Sequence, residues 1–247
     1  MPSRSPPPGT LDDSCRMQRG SGPDAPLVAI VGDSHAGQLT GIVRPIVESQ
    51  GWNAVSLVRG GCPFAPDEPE VPGALDCTAW RAAALARLVR LQPDIVFMMG
   101  SRSTAETPDE AALAGLDAYL DVLVDAGSQI VLVRDNPRFG IDMFECVERH
   151  GAGSPLCERD LTQVLAAQDP TLSSRRSGVT PVDLTEWICP DGMCPAVIGG
   201  VVVYLDDNHL TWSYARTLAP ALVQRSRAVL ERFGYVDTAQ DSWAAPS

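Results

Sequence analysis

A chain of 247 residues, 45% hydrophobic and 20% charged, lies in the size range where one α/β domain buries its own core unaided. Its 19 basic and 31 acidic residues leave a formal charge of −12, which repels phosphate backbones and anionic membrane surfaces, so nucleic acid is not an expected partner. The longest apolar runs, Ile95 to Met99 and Val197 to Leu205, fall short of the roughly 20 residues that span a bilayer, so no transmembrane segment is expected.

In chain order, residues 1–24 are rich in proline and glycine and lack the apolar stretch of a secretory signal; they read as a flexible leader. Residues 25–236 read as the folded domain and 237–247 as a flexible tail. Within the domain, short apolar runs predict strands at Leu27 to Gly32, Ala54 to Arg59, Ile95 to Gly100, Ile130 to Arg134 and Val179 to Leu184. Helical spacing of Ala, Leu and Val predicts helices over Gly37 to Gln50, Ala74 to Leu91, Glu110 to Ala126 and Glu158 to Gln168. A closing helix is expected over Thr211 to Phe233, with Thr211 as its N-cap. Strand and helix alternate, which predicts a three-layer α/β/α, doubly wound, mostly parallel sheet of about five strands. In such a sheet ligands bind beyond the carboxyl ends of the strands.

Seven cysteines fall into close pairs, Cys62 with Cys77, Cys146 with Cys157 and Cys189 with Cys194, leaving Cys15 over. Three local bridges are the expectation, with buried free thiols as the alternative. Bridges indicate an oxidising compartment and hence the exported part of a longer protein. A native start at Met1 without a signal indicates a cytoplasmic chain with reduced thiols. The spacings do not form the paired hooks of a zinc site, so no metal is expected.

The run Val28 to His35 ends a buried strand on Gly32-Asp33 and places Ser34 at the start of a helix. Free N–H groups at a helix N-terminus stabilise negative charge, so Ser34 is a candidate nucleophile whose own N–H receives the oxyanion. The same turn also reads as a plain N-cap. A serine needs a base, and His35, His150 and His209 are the three histidines. His209 is the candidate, because Asp206 lies three residues earlier and can orient the ring through its other nitrogen. His35, next to the serine, reads as structural or as a substrate contact. Trp80, Trp187 and Trp212 are candidates to stack on a sugar or line an acyl pocket, or are simply core.

Gly32-Asp33-Ser34-His35 near the start and Asp206-x-x-His209 near the end resemble the first and last blocks of the SGNH hydrolase superfamily, in the same chain order. The resemblance implies Ser34 as nucleophile, His209 as base and Asp206 as its orienting acid, on an SGNH/flavodoxin-like fold. Gly61-Cys62-Pro63 and His209-Leu210-Thr211 are similar to the SGNH domains of bacterial carbohydrate O-acyltransferases, over roughly residues 27 to 222. That pattern implies the Gly61 N–H as a second oxyanion donor, although Gly60-Gly61 also reads as an ordinary strand-ending turn. Where many SGNH enzymes carry an asparagine, this chain has Ser101-Arg102-Ser103. Ser101 or Arg102 is then a candidate third donor, and Asn136 in Arg-Asp-Asn-Pro is another, though Asn-Pro also opens turns.

The resemblance implies transfer of a short or medium acyl group to a carbohydrate hydroxyl through an acyl-serine. Hydrolysis of acyl esters of glycans is the alternative, and a non-catalytic glycan-binding module is a third, motivated by the missing asparagine. The expected partners are an acyl donor and a carbohydrate or glycoside acceptor, with no cofactor. Similarity to stand-alone SGNH octanoyltransferases of methylglucose lipopolysaccharide synthesis implies an octanoyl group carried by an acyl-CoA.

Overall fold

The computed structural model describes residues 16–69 and 76–237. The first elements are strand β1 (Arg16–Gln18), strand β2 (Leu27–Gly32), helix α1 (Ser34–Gln50), strand β3 (Asn53–Val58), helix α2 (Cys77–Leu91) and strand β4 (Ile95–Met99). A small antiparallel pair, β5 (Ser101–Ser103) and β6 (Glu110–Ala112), precedes helix α3 (Leu116–Asp125) and strand β7 (Gln129–Val133). Helix α4 (Met143–His150), strand β8 (Glu158–Asp160), helix α5 (Leu161–Val164), strand β9 (Val179–Val182) and helix α6 (Thr185–Ile188) follow. Strands β10 (Met193–Pro195), β11 (Val197–Ile198) and β12 (Val201–Val202) lead into helices α7 (Trp212–Thr217) and α8 (Ala219–Arg232).

Six strands form the main sheet in the order β1-β3-β2-β4-β7-β9, with β1 antiparallel to β3 and the other five parallel. Alternate residues of each strand enter opposite layers. Val28 and Ile30 pack with Ile42 of α1 and Leu222 of α8, while Ala29 and Val31 pack with Leu88 of α2 and Leu120 of α3. Both faces are covered, which is why the parallel strands read as unbroken apolar runs. Each Val, Leu or Ile side chain so buried contributes about 1.5–3 kcal/mol. Strand β2 has β3 on one side and β4 on the other, so the switch point of the winding lies at its carboxyl end, where a crevice forms.

All five expected strands are present as the parallel part of the sheet. The helix expected over Glu110 to Ala126 is shorter, since Glu110 to Ala112 is strand β6. The Glu110 carboxylate is buried against Arg134 and the Ser101 hydroxyl, and this tertiary contact outweighs the helical preference of the alanines beside it. The helix expected over Glu158 to Gln168 is only α5. Residues 158–160 pair with β10, and the Asp160 side chain caps the short helix by accepting from the Thr162 N–H at 2.8 Å. The closing helix has the expected cap, Thr211 Oγ1 accepting from the Tyr214 N–H at 3.1 Å. It is divided at Leu218, because Pro220 has no N–H to continue the α7 ladder. Part of the leader expected over residues 1–24 is structured, since Arg16–Gln18 joins the sheet as β1; residues 1–15 and 238–247 lie outside the described residues, as do Ala74 and Leu75 of the expected second helix.

The three expected cysteine pairs are disulfides: Cys62–Cys77, Cys146–Cys157 and Cys189–Cys194. The first ties the loop after β3 to the start of α2, and a closed loop of its size constrains the unfolded chain by about 3 kcal/mol. Cys15 lies outside the described residues. Among the described residues no helix is long and apolar enough to cross a membrane.

Candidate active site

Strand β2 ends at Gly32, which has φ +146°. A Cβ there would meet that of Ala36 at 2.5 Å, so the sharp strand-to-helix turn requires glycine. Asp33 is the N-cap of α1, accepting from the His35 N–H at 3.0 Å and the Ala36 N–H at 3.3 Å. This leaves Ser34 as the first residue of the helix, half-buried. Its N–H has no acceptor one turn earlier and makes no hydrogen bond among the described residues. The two readings of Gly-Asp-Ser thus separate by residue: Asp33 caps, and Ser34 is left free.

The Ser34 Oγ lies 2.8 Å from His209 Nε2, and His209 Nδ1 lies 2.7 Å from Asp206 Oδ2. The other Asp206 oxygen accepts the backbone N–H groups of Asn208 at 2.8 Å and His209 at 2.7 Å. Burial works to raise the Asp206 pKa, but those N–H groups and the His209 ring outweigh it and hold the carboxyl below its ordinary value. Asp206 therefore stays ionised and faces His209 Nδ1, while the Nε2 side of the ring faces the Ser34 Oγ.

Beyond β3 the chain turns through Gly61 at φ +74°, closed by the Cys62 N–H donating to the Arg59 carbonyl at 3.1 Å. The Arg59 N–H in turn donates to the Gly32 carbonyl at 2.9 Å, which sets this turn against the end of β2. The Gly61 N–H makes no hydrogen bond among the described residues. Gly60-Gly61 is thus a turn, as one reading held, and it leaves the Gly61 N–H without a partner among the described residues. A cleft at the carboxyl ends of β2 and β4 is lined by Asp33, His35, Phe64, Arg102, Asp135 and Arg138, among others, with Arg138 paired to Asp135 at 3.2 Å.

The other candidate donors are placed differently. Ser101 Oγ donates to Glu110 at 2.7 Å and accepts from the Asp135 N–H at 2.9 Å, so its hydroxyl is engaged within the scaffold. Asn136 donates from Nδ2 to the carbonyls of Pro137 at 3.1 Å and Asn208 at 2.7 Å, and its oxygen accepts from Gln38 at 3.1 Å. It braces the loop that carries His209 and has no amide hydrogen left for an oxyanion. In this arrangement the side-chain polar atoms of both residues are satisfied within the protein. Arg102 lines the cleft and makes a loose contact of 3.5 Å with Glu68. His150 is exposed at the end of α4. Trp80 is core against Phe64, Trp187 is half-buried beneath the Arg225 guanidinium, and Trp212, just after the His209 loop, is 46% exposed.

Three site-forming residues escaped the sequence reading: Gln38, Asp135 and Asn208. For two of them the signal was position, since Asp135 follows strand β7 at the ligand edge and Asn208 lies between Asp206 and His209; nothing local marks Gln38. Asp135 Oδ1 lies 2.6 Å from His35 Nδ1, and this pair is buried. Burial alone would lower the His35 pKa, but Asp135 more than offsets it and raises the imidazole above its ordinary 6.5. Burial alone would raise Asp135, but His35, Arg138 and the Ser103 N–H hold it well below its ordinary 3.8. A raised imidazole pKa contributes stability that is complete below the unfolded value and is lost as pH rises. A lowered carboxyl pKa contributes above its unfolded value and is lost as pH falls. The melting-temperature advantage of the wild type over His35→Gln is therefore expected to be greatest between 3.8 and 6.5 and to shrink on either side. Melts across a pH series check this, and an advantage that grows on the alkaline side contradicts it.

A serine, a histidine and an aspartate in hydrogen-bonded series at the carboxyl edge of a parallel sheet define the class, a three-layer α/β protein with the geometry of a serine-nucleophile site. The model of the SGNH domain (fused to AT3 domains) matches residues 3–224, and the chain belongs to this family. The periplasmic domain of a lipopolysaccharide acetyltransferase from Salmonella ser. Paratyphi A has a similar fold, with a TM-score of 0.61 and 14% identity over 84% of each chain. No curated protein matches the sequence.

Proposed function

We propose that this chain is a serine-dependent O-acyltransferase that moves an acyl group to a carbohydrate hydroxyl through an acyl-serine. The observation that carries the proposal is the relay Ser34–His209–Asp206, together with two backbone donors that make no hydrogen bond among the described residues, the N–H groups of Ser34 and Gly61. In this reading His209 Nε2 takes the Ser34 proton as Oγ bonds to the carbonyl carbon of an ester or thioester. The oxyanion is held by those two donors. Collapse breaks the bond to the leaving group, which departs with the proton from His209. An acceptor hydroxyl then gives its proton to His209 and attacks the acyl-serine, and His209 returns that proton to Oγ as the ester bond to Ser34 breaks.

Transfer rather than hydrolysis is favoured by membership of a family fused to AT3 domains and by the fold shared with a lipopolysaccharide acetyltransferase. The three disulfides and that neighbour's periplasmic setting support an extracytoplasmic location. One observation favours the hydrolytic alternative: the His209 and Asp206 side chains are 28% and 35% exposed, which leaves water a path to the acyl-serine. Acyl-CoA thioesters and 4-nitrophenyl esters, from acetyl to octanoyl, separate the two when incubated with and without glycosides. Acylated glycoside and acceptor-dependent turnover are the expected result. Release of free acid at a rate indifferent to acceptor makes the protein an esterase.

A further inference from the structure

The ring of His35 lies beside the nucleophile yet is buried and does not meet Ser34. Its Nδ1 is 2.6 Å from Asp135 Oδ1 and its Nε2 is 2.8 Å from Asn208 Oδ1. Asp135 is only an acceptor here. Its oxygens also take the N–H groups of Ser103 and Asn136, each at 3.0 Å, the Ser103 hydroxyl at 3.1 Å and the Arg138 guanidinium at 3.2 Å, so Nδ1 donates to it. The Asn208 amide is oriented by Asp207, which accepts from Asn208 Nδ2, so the Asn208 oxygen faces His35 and Nε2 donates as well. In this arrangement both ring nitrogens face acceptor oxygens.

Asn208 is the residue between the triad's acid and its base. Its N–H donates to Asp206 Oδ1 at 2.8 Å, and its carbonyl accepts from Asn136 at 2.7 Å. The rest of the loop is anchored by the Leu210 N–H donating to Gln38 of α1 and by the Phe139 N–H donating to the Asp207 carbonyl at 2.8 Å. Among the described residues, the contact from His35 links the residue that follows the nucleophile to the side chain of Asn208, in addition to the direct Ser34–His209 contact.

We propose that His35 is a positioning residue: a doubly protonated ring, braced on Asp135, that grips Asn208 and so sets the distance between His209 and Ser34. The groups facing it are Asp33 and His209, whose ring centroid is 5.0 Å away, with Asp135, Arg138 and Asn208. The proposal rests on the acyl-serine reading for its kinetic consequence but not for its ring chemistry. A misplaced base slows the chemical step on the order of 10²-fold while leaving substrate contacts in place.

The test uses 4-nitrophenyl acetate hydrolysis and ¹⁵N spectra of the histidine rings. His35→Gln and Asn208→Ala are each expected to lower kcat by about 10–100-fold with KM nearly unchanged. The double variant is expected to lose no more than the worse single, because both remove one contact. Both His35 nitrogens of the wild type should show protonated shifts near neutral pH. A neutral tautomer at His35, or single losses that multiply in the double variant, overturns the proposal. If His35→Gln fails to fold, Asn208→Ala, in a partly exposed loop, carries the kinetic arm. A wild type that neither turns over the ester nor forms an acyl-serine defeats the functional reading instead, and the ring spectrum still decides the state of His35.

Discussion

Ser34→Ala is expected to abolish covalent labelling by a fluorophosphonate and to lower acyl-ester turnover by roughly 10⁴–10⁶-fold, the loss seen when a triad nucleophile is removed. The fold should be indifferent to the change. The cap of α1 is Asp33, which keeps its bonds to the His35 and Ala36 N–H groups, and the Ser34 hydroxyl is bonded to His209. Its loss at a half-buried position lies within about 0.5 kcal/mol of stability. Intact-mass measurement after labelling reads the result directly. Equal labelling of Ser34→Ala and wild type removes Ser34 as nucleophile, and an unlabelled but folded wild type turns the reading toward a glycan-binding module.

The largest effect on stability is expected at Arg134→Met. The Arg134 and Glu110 side chains are 5% and 0% exposed, and the guanidinium donates to both Glu110 oxygens, to Asp183 at 2.9 Å and to the Ala166 carbonyl. It thus joins the ends of β6, β7 and β9. Removing it leaves a buried carboxylate whose remaining partner is the Ser101 hydroxyl, and breaking such a pair costs about 3–5 kcal/mol. For a domain of this size that is a fall of about 10 °C in melting temperature. Burial already pushes the Glu110 pKa up against the pull of Arg134 and Ser101, so the variant should protonate Glu110 at acid pH. Its deficit then widens as pH rises through the carboxylate range. Arg134→Met with Glu110→Leu is expected to recover most of the loss, because an apolar pair leaves no buried charge unmatched. Melting curves of the single and double variants across pH check both points, and a double variant no better than the single contradicts the account.

The two residues show where sequence reading reaches and where it stops. Gly32-Asp33-Ser34 announces its geometry because the cap bonds that shape the turn are local, spanning two and three residues. Glu110 announces nothing, since flanking alanines favour a helix while its partner Arg134 is 24 residues away. The same distinction explains Asn136, which lies in the loop that follows strand β7. Its amide turns to the Asn208 carbonyl, 72 residues along the chain.

The short-range part of this protein is therefore legible in its residues alone. The five parallel strands are written in runs of apolar residues buried on both faces, and the three disulfides join cysteines no more than 15 residues apart. Asp206 and His209 sit on one loop. The pairing of that loop with Ser34 across 175 residues was legible only because both halves match one family pattern. Packing settled the remainder: that His35 turns inward to Asp135, 100 residues away, and that Asn208 is gripped from α1. Desolvation makes buried polar groups seek whichever partner the packed chain brings within about 3 Å, and no local spacing records which partner that will be.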